Sequence, residues 1–206
     1  VRTQGVELIA DLTPILTANF KWNTTFNFSS NTSRVESLPQ SDGRLTLAYS
    51  RIYDSANQTV WFQVEEGGRI GDFYGTGYLK NEQGQFIIDD NGRYIADNNL
   101  QKLGNYNPDF TLGWTNNLNY KNWNLSFLFD WRQGGEFHSR TVAIGGTTGM
   151  LDFTVPGRET GIVAAGVVEN GDGSYSPNTQ NVSASNYYSH VYNRSNEESS
   201  MFDATY

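Results

Sequence analysis

Residues 108–132 read PDFTLGWTNNLNYKNWNLSFLFDWR, and nearly every second residue from Phe110 to Tyr120 is large and apolar: Phe110, Leu112, Trp114, Leu118 and Tyr120. Only Asn116 breaks the series, and Thr111, Gly113, Thr115, Asn117 and Asn119 lie between. After Lys121-Asn122 the alternation resumes at Trp123, Leu125, Phe127, Phe129 and Trp131. Two arms of period two joined by two turn residues predict a β-hairpin. The arms are about twice the usual strand length of a soluble domain, but match the roughly 9–11 residues of a tilted strand that crosses a bilayer. The apolar series ends in rings: Trp123 and Trp131 on one arm, Phe110 and Tyr120 on the other. Amphipathic indole and phenol rings sit best at the two membrane–water interfaces.

Upstream, Val6, Leu8, Ala10 and Leu12 alternate with Glu7, Asp11 and Thr13, with Ile9 as the exception, and Thr13-Pro14 to Asn19 reads as a turn. A strand from Phe20 to Ser29 sets Phe20, Trp22, Phe26 and Phe28 against Lys21, Asn23, Thr25 and Asn27. Residues 1–29 and 108–132 are thus two hairpins of one design. Between and after them run two long connections, 30–107 and 133–202, far beyond a compact domain's loop length. Leu45 to Ile52, Thr59 to Val64 and Gln85 to Ile88 are strand-like pieces of the first, and Ser183 to Tyr192 reads as a short helix in the second. Residues 203–206 start another strand. Antiparallel succession places the short turns at one end and the long loops at the other, the asymmetry of outer-membrane barrels. No charged residue stands on the apolar faces, where Arg or Lys at mid-bilayer costs about 2–4 kcal/mol. A soluble sandwich or lipocalin-like barrel shows the same alternation. Four strands close no barrel, so the chain is expected to be a piece of something larger.

The 206 residues are 17% charged and 14% aromatic, with 21 Gly, which suits an all-β chain with many loops. A net charge of −8 disfavours nucleic acid. There is no Cys, and hence no disulfide or thiolate chemistry. No apolar run is long enough for a spanning helix, and Val1 begins without an export signal, so any such signal lies outside these residues. N-x-S/T sequons at Asn23, Asn27, Asn31, Asn57, Asn124, Asn181 and Asn193 fall partly inside expected strands, where a glycan would block pairing, which favours a bacterial source.

The motifs Gly104-Asn105-Tyr106-Asn107-Pro108-Asp109-Phe110, Gly113-Trp114-Thr115-Asn116, Tyr120-Lys121-Asn122-Trp123-Asn124-Leu125-Ser126 and Asp130-Trp131-Arg132-Gln133-Gly134-Gly135 resemble, in this order, the SusC/RagA family of TonB-dependent outer-membrane transporters. Gly5-Val6-Glu7-Leu8, Thr13-Pro14, Ile70-Gly71-Asp72-Phe73-Tyr74-Gly75 and Asp203-Ala204-Thr205-Tyr206 agree with it. The resemblance implies an antiparallel transmembrane β-barrel segment, part of a plugged 22-stranded barrel, in the outer membrane of a Gram-negative, Bacteroidetes-type bacterium. It implies import of oligosaccharides or peptides with a SusD-like surface lipoprotein as lid and TonB acting through parts outside this chain.

Trp61, Phe62, Phe73, Tyr74 and Tyr78 are the candidates for ligand or lid contact, with packing of the loop's own core as the alternative. Trp22, Phe110, Tyr120, Trp123 and Trp131 are the candidate membrane-interface aromatics. Asp89, Asn91 and Asp97 stand where relatives carry a calcium loop, but Arg93 and Tyr94 replace an acidic ligand and a glycine, so a polar turn is the stronger expectation. No metal or other cofactor is otherwise expected: His138 and His190 have no ligand-spaced partners. Gly134-Gly135 and Gly145-Gly146 are not phosphate loops, and no carboxylate pair has acid/base spacing, so no enzyme is expected. A secreted or surface-displayed all-β module that binds glycans or acts as an adhesin is the second reading.

Overall fold

The computed structural model describes residues 1–39, 43–51, 59–192 and 197–206. Ile52, Asn57 and Asn193 lie outside the described residues. Strands β1 (Arg2–Leu16), β2 (Phe20–Arg34), β3 (Arg44–Arg51), β4 (Thr59–Glu65), β5 (Asp72–Tyr78), β6 (Ala96–Asn105), β7 (Phe110–Tyr120) and β8 (Trp123–Gln133) form two antiparallel four-stranded sheets. The wall sheet has the order β1-β2-β7-β8, and the sheet of the first long connection is β3-β4-β5-β6. In the second connection β9 (Glu136–His138) pairs with β14 (Met201–Asp203), β10 (Ile162–Val163) with β13 (Asn181–Val182), and β11 (Val167–Glu169) with β12 (Tyr175–Pro177). Two helices, α1 (Arg140–Thr148) and α2 (Ala184–Val191), lie between them. The all-β, antiparallel reading therefore holds.

The first strand differs from its sequence reading. β1 runs through Pro14 to Leu16, and the turn shrinks to Thr17-Ala18-Asn19, held by Thr17 N–H donating to Phe20 O. Pro14 falls in the irregularity between Leu12 and Ile15, on an edge strand, where a missing N–H breaks the ladder least. β2 likewise continues to Arg34. The second turn is carried by Lys121 at φ 51°, and its N–H donates to Asn19 O, so both short turns sit together at one end.

The buried apolar residues among those described are Val35, Val60, Val64, Phe73, Tyr74, Tyr78, Ile87, Ile88, Ala143, Ala164, Val167 and Ala184. None belongs to a wall strand. The hydrophobic core sits entirely in the loop body, while in the wall Leu8, Leu12, Leu125, Phe129 and Trp131 stay exposed. A soluble sandwich or closed small barrel would cover that face. A contiguous uncovered apolar face of this size marks a partner or a membrane.

Candidate functional site: a two-faced wall and its rim

Strand register converts the sequence alternation into rows that cross the sheet. Leu8, Phe28, Leu112 and Trp131 form one, Ala10, Phe26, Trp114 and Phe129 the next, and Ile15, Trp22, Leu118 and Leu125 another. Phe26 and Trp114 stack at 5.4 Å, and Trp114 and Phe129 at 5.5 Å. Of the expected interface rings, Phe110 and Trp131 meet at the long-loop end with Phe28 (5.3 and 5.7 Å). Tyr120 and Trp123 stand opposite each other at the short-turn end, beside Phe20, and Trp22 lies one row inward. From Phe110 to Tyr120 is a rise of about 33 Å. A tilt of 35–45° shortens this to about 25 Å, the height of a barrel's apolar band.

One row of this face, Leu12, Thr24, Asn116 and Phe127, is polar at its centre. Thr24 and Asn116 lie opposite each other and are only 3% and 1% exposed. Trp22 Nε1–H donates to Asn116 Oδ1 (2.9 Å), and Trp114 Nε1–H donates to Thr24 Oγ1 (2.7 Å). Both indoles thereby point their N–H edges at the pair. Asn116, which looks like a fault in the alternation, is the acceptor that Trp22 needs in apolar surroundings.

The opposite face carries short polar ladders. Thr25 Oγ1 donates to Asp11 (2.6 Å), Ser126 Oγ to Asn117 (2.7 Å) and Asn124 Nδ2 to Asn119 (2.6 Å). A groove of about 490 Å³ runs here between Ile9, Asn27, Thr111, Leu128 and Asp130, above Gly113.

The five loop aromatics go to different places. Phe62 and Phe73 pack at 4.6 Å and share Tyr106. Tyr78 is buried against Phe86 and Tyr94, its hydroxyl donates to Val191 O, and burial pushes that hydroxyl's pKa up. Tyr74 is buried as well, and desolvation first, then the Glu65 and Asp72 charges, push its hydroxyl up to about 12. Trp61 is half-buried and pairs with the exposed Tyr49 at 5.5 Å. Of the five, Trp61 and Phe62 are partly accessible, and Trp61 is the one that leans on an exposed ring, Tyr49.

At the calcium candidates, Asp89 Oδ1 accepts from the N–H groups of Asn91 and Arg93, and Oδ2 meets the Arg93 guanidinium at 3.1 Å. Asp97 accepts from Asn99 N–H and Nδ2–H. Asp89 closes its own turn, where Arg93 supplies the positive charge, and Asp97 binds its neighbour Asn99 within β6.

The family-like motifs, far apart in sequence, meet at the rim where loop body joins wall. Asp72, 1% exposed, accepts from Arg69 N–H (3.0 Å) and Asn105 Nδ2–H (2.7 Å) and pairs with Lys102 (2.6 Å). Asn107 Nδ2–H donates to Ile70 O (2.7 Å), and Asn105 N–H to Glu136 Oε2 (2.6 Å). Gly134 and Gly135 take φ of 73° and 81°. A Cβ on Gly134 would stand 2.5 Å from Asp109 Oδ2, and one on Gly135 would stand 2.9 Å from Tyr106 O. Beyond them the chain comes back: Arg132 and Tyr206 exchange both backbone hydrogen bonds beside β8.

A second tie joins the two long connections, and no sequence pattern announced it. Glu197, 1% exposed, accepts from Thr76 N–H (3.2 Å) and Thr76 Oγ1–H (2.5 Å), while Glu198 accepts from Tyr78 N–H and pairs with Lys80. Burial pushes the Glu197 carboxyl up to about 7, against the Thr76 hydrogen bonds, which lower it. A raised carboxyl favours the docked form below its ordinary value of 4.5 and loses that advantage as pH rises through about 7. Hydrogen exchange at Thr76 and Tyr78, corrected for intrinsic rates, is expected to be slower at pH 5 than at pH 8. Glu197→Gln should remove the difference.

No family model matches the chain. Among curated proteins, TonB-dependent receptor P3 of Formosa agariphila is 28% identical over 163 residues, covering 69% of this chain and 16% of the relative. TonB-dependent receptor P26 of the same organism is 27% identical over 157 residues, covering 68% and 15%. The chain is similar to TonB-dependent receptors. It spans about one-sixth of the length of these relatives. Among the described residues no helix is long and apolar enough to cross a membrane.

Proposed function

We propose that the chain is a stretch of barrel wall, with two surface loops, from a TonB-dependent outer-membrane transporter of the SusC/RagA type. The observation that carries this reading is the uncovered apolar face, about 25 Å tall under a barrel strand's tilt and edged by Phe110 and Trp131 at one end and Tyr120 and Trp123 at the other. The similarity to TonB-dependent receptors supports it independently. The apolar rows meet hydrocarbon, and the groove over Gly113 faces the lumen. The segment is non-catalytic and acts as conduit wall and docking rim in a Gram-negative outer membrane. Its cargo is an oligosaccharide or peptide, its lid a SusD-like lipoprotein, and TonB acts through parts outside these residues.

Trp61 and Tyr49 are the place where lid or cargo touches the loop body, because they offer ring surface that the core leaves uncovered. Tagged full-length protein drawn from native outer membranes should bring the lipoprotein with it. Trp61→Ala with Tyr49→Ala should weaken lipoprotein or cargo binding by tenfold or more, as expected for aromatic hot spots. Unchanged affinity for both would remove this role.

A further inference from the structure

The outward face does not end at its last apolar residue. On β1 the residues above Val6 on that face are Gln4 and Arg2, and on β2 those above Ser30 are Thr32 and Arg34. Register sets Gln4 opposite Thr32 and Arg2 opposite Arg34. Two like charges directly opposite in a ladder are destabilising. Among the described residues neither guanidinium is within 4 Å of a carboxylate. With its amide turned to suit, Gln4 accepts from Arg2 Nε and Nη2 at 2.7 Å, so the Arg2 fork leans toward the apolar belt but meets no negative charge. Both arginines, Gln4 and Thr32 line an open cavity of about 760 Å³. Glu36 and Glu66 line it from the loop-body side, and Glu66 Oε1 is occupied by Leu38 N–H (2.8 Å).

Position selects the ligand. Arg2 lies four residues, about 13 Å, beyond Val6 along the strand. At barrel tilt this is about 10 Å along the membrane normal. A guanidinium on its flexible stem reaches down from that height into the headgroup layer. The cavity faces outward at the long-loop end, away from the lumen groove, so what lies against it is the outer leaflet. Paired guanidiniums suit phosphate oxygens, and at Arg2 a phosphate oxygen takes the place of the neutral Gln4 acceptor on the Nε–Nη2 fork.

We infer that Arg2, Arg34, Gln4 and Thr32 form a site for the phosphate of an anionic lipid headgroup in the outer leaflet. The bound phosphate neutralises the opposed arginines and fixes the height of this part of the wall in the membrane. The inference rests on the membrane reading proposed above.

The test compares full-length wild type with R2Q/R34Q, reconstituted into vesicles of phosphatidylcholine alone or with a diphosphorylated glycolipid added. Flotation with the vesicles checks insertion. Wild type should bind the phosphorylated lipid about thirtyfold more tightly than R2Q/R34Q, at about 1 kcal/mol for each basic residue near the surface. In phosphatidylcholine alone the order of thermal stability should reverse, because the variant no longer opposes two like charges. R2K/R34K, which keeps charge but loses the fork, should bind with intermediate affinity. Equal lipid affinity of inserted wild type and R2Q/R34Q would overturn the site while leaving the membrane reading intact. Failure of wild type to insert would end both. Inorganic phosphate matching the glycolipid's affinity in detergent would make this a soluble-anion site and overturn the lipid assignment.

Discussion

Phe127→Lys is expected to cost about 2–4 kcal/mol of folding free energy in vesicles, the cost of a basic side chain at a barrel's mid-bilayer surface. Leu128→Lys, one residue on, should stay within about 0.5 kcal/mol, as an ordinary surface change does. Phe127 belongs to the row of Leu12, Thr24 and Asn116, midway between the two aromatic ends, while Leu128 lies opposite Thr115 on the polar face. Leu128 is the more exposed of the two, 60% against 37%. Both are apolar, so side-chain type does not separate them and only facing does. Urea titrations of refolding into vesicles give both numbers, and Phe127→Ala measures the part due to the lost ring.

The second large effect is expected at Asp72. Asp72→Ala removes the acceptor of the buried Asn105 amide and of the partly buried Arg69 N–H, and the partner of Lys102. A hydrogen bond to a charged group is worth about 1.5–3 kcal/mol. The Lys102 pair adds little, because that side chain is nearly half exposed. Asn105 Nδ2 keeps a weaker acceptor in Ile70 O (3.2 Å). The loss is therefore set at about 2–3 kcal/mol, confined to the junction of loop body and wall. Faster hydrogen exchange at Tyr106 and Asn107, with the amides of β7 unchanged, would show it. Asp72→Asn, which keeps one acceptor oxygen, should lose about half as much.

The wall was legible in the sequence because its signal is local to each hairpin: period two on both arms and a short turn between them follow one another along the chain. Pro14 has the look of a strand terminator, but an edge strand with a bulge accommodates it. β6, with the sequence ADNNLQKLGN, shows no alternation, and it is a strand because β5 offers it an edge. α1 was hidden by Gly145 and Gly146. Those glycines permit close approach: a Cβ on Gly146 would stand 2.5 Å from the Tyr192 ring, and one on Gly145 would stand 2.6 Å from Leu151. Ser139 and Gly149 cap that helix. α2 was readable because its Ser183 cap and an unbroken helical run are adjacent.

Sites made of distant residues leave no local signal in the sequence. Asn116 reads as a defect until Trp22, 94 positions away, is placed against it. Glu197 gives no hint in sequence of its dock on Thr76, and Arg2 and Arg34 become neighbours only through the β1–β2 register. The loop aromatics illustrate the opposite difficulty. Composition found the cluster, but only burial separates Phe73, Tyr74 and Tyr78, which pack the loop body, from Trp61, which keeps part of its ring open.

Nitroxide labels placed singly from Leu125 to Trp131 in the full-length protein, reconstituted in vesicles, test most directly whether the apolar face meets lipid. Collision with oxygen, which concentrates in hydrocarbon, should peak at positions 125, 127, 129 and 131. Collision with a water-soluble nickel chelate should peak at positions 126, 128 and 130. Nickel accessibility at the odd positions, or two profiles rising and falling together, would contradict a wall that turns its rings to the bilayer and its Asn and Thr ladders to water.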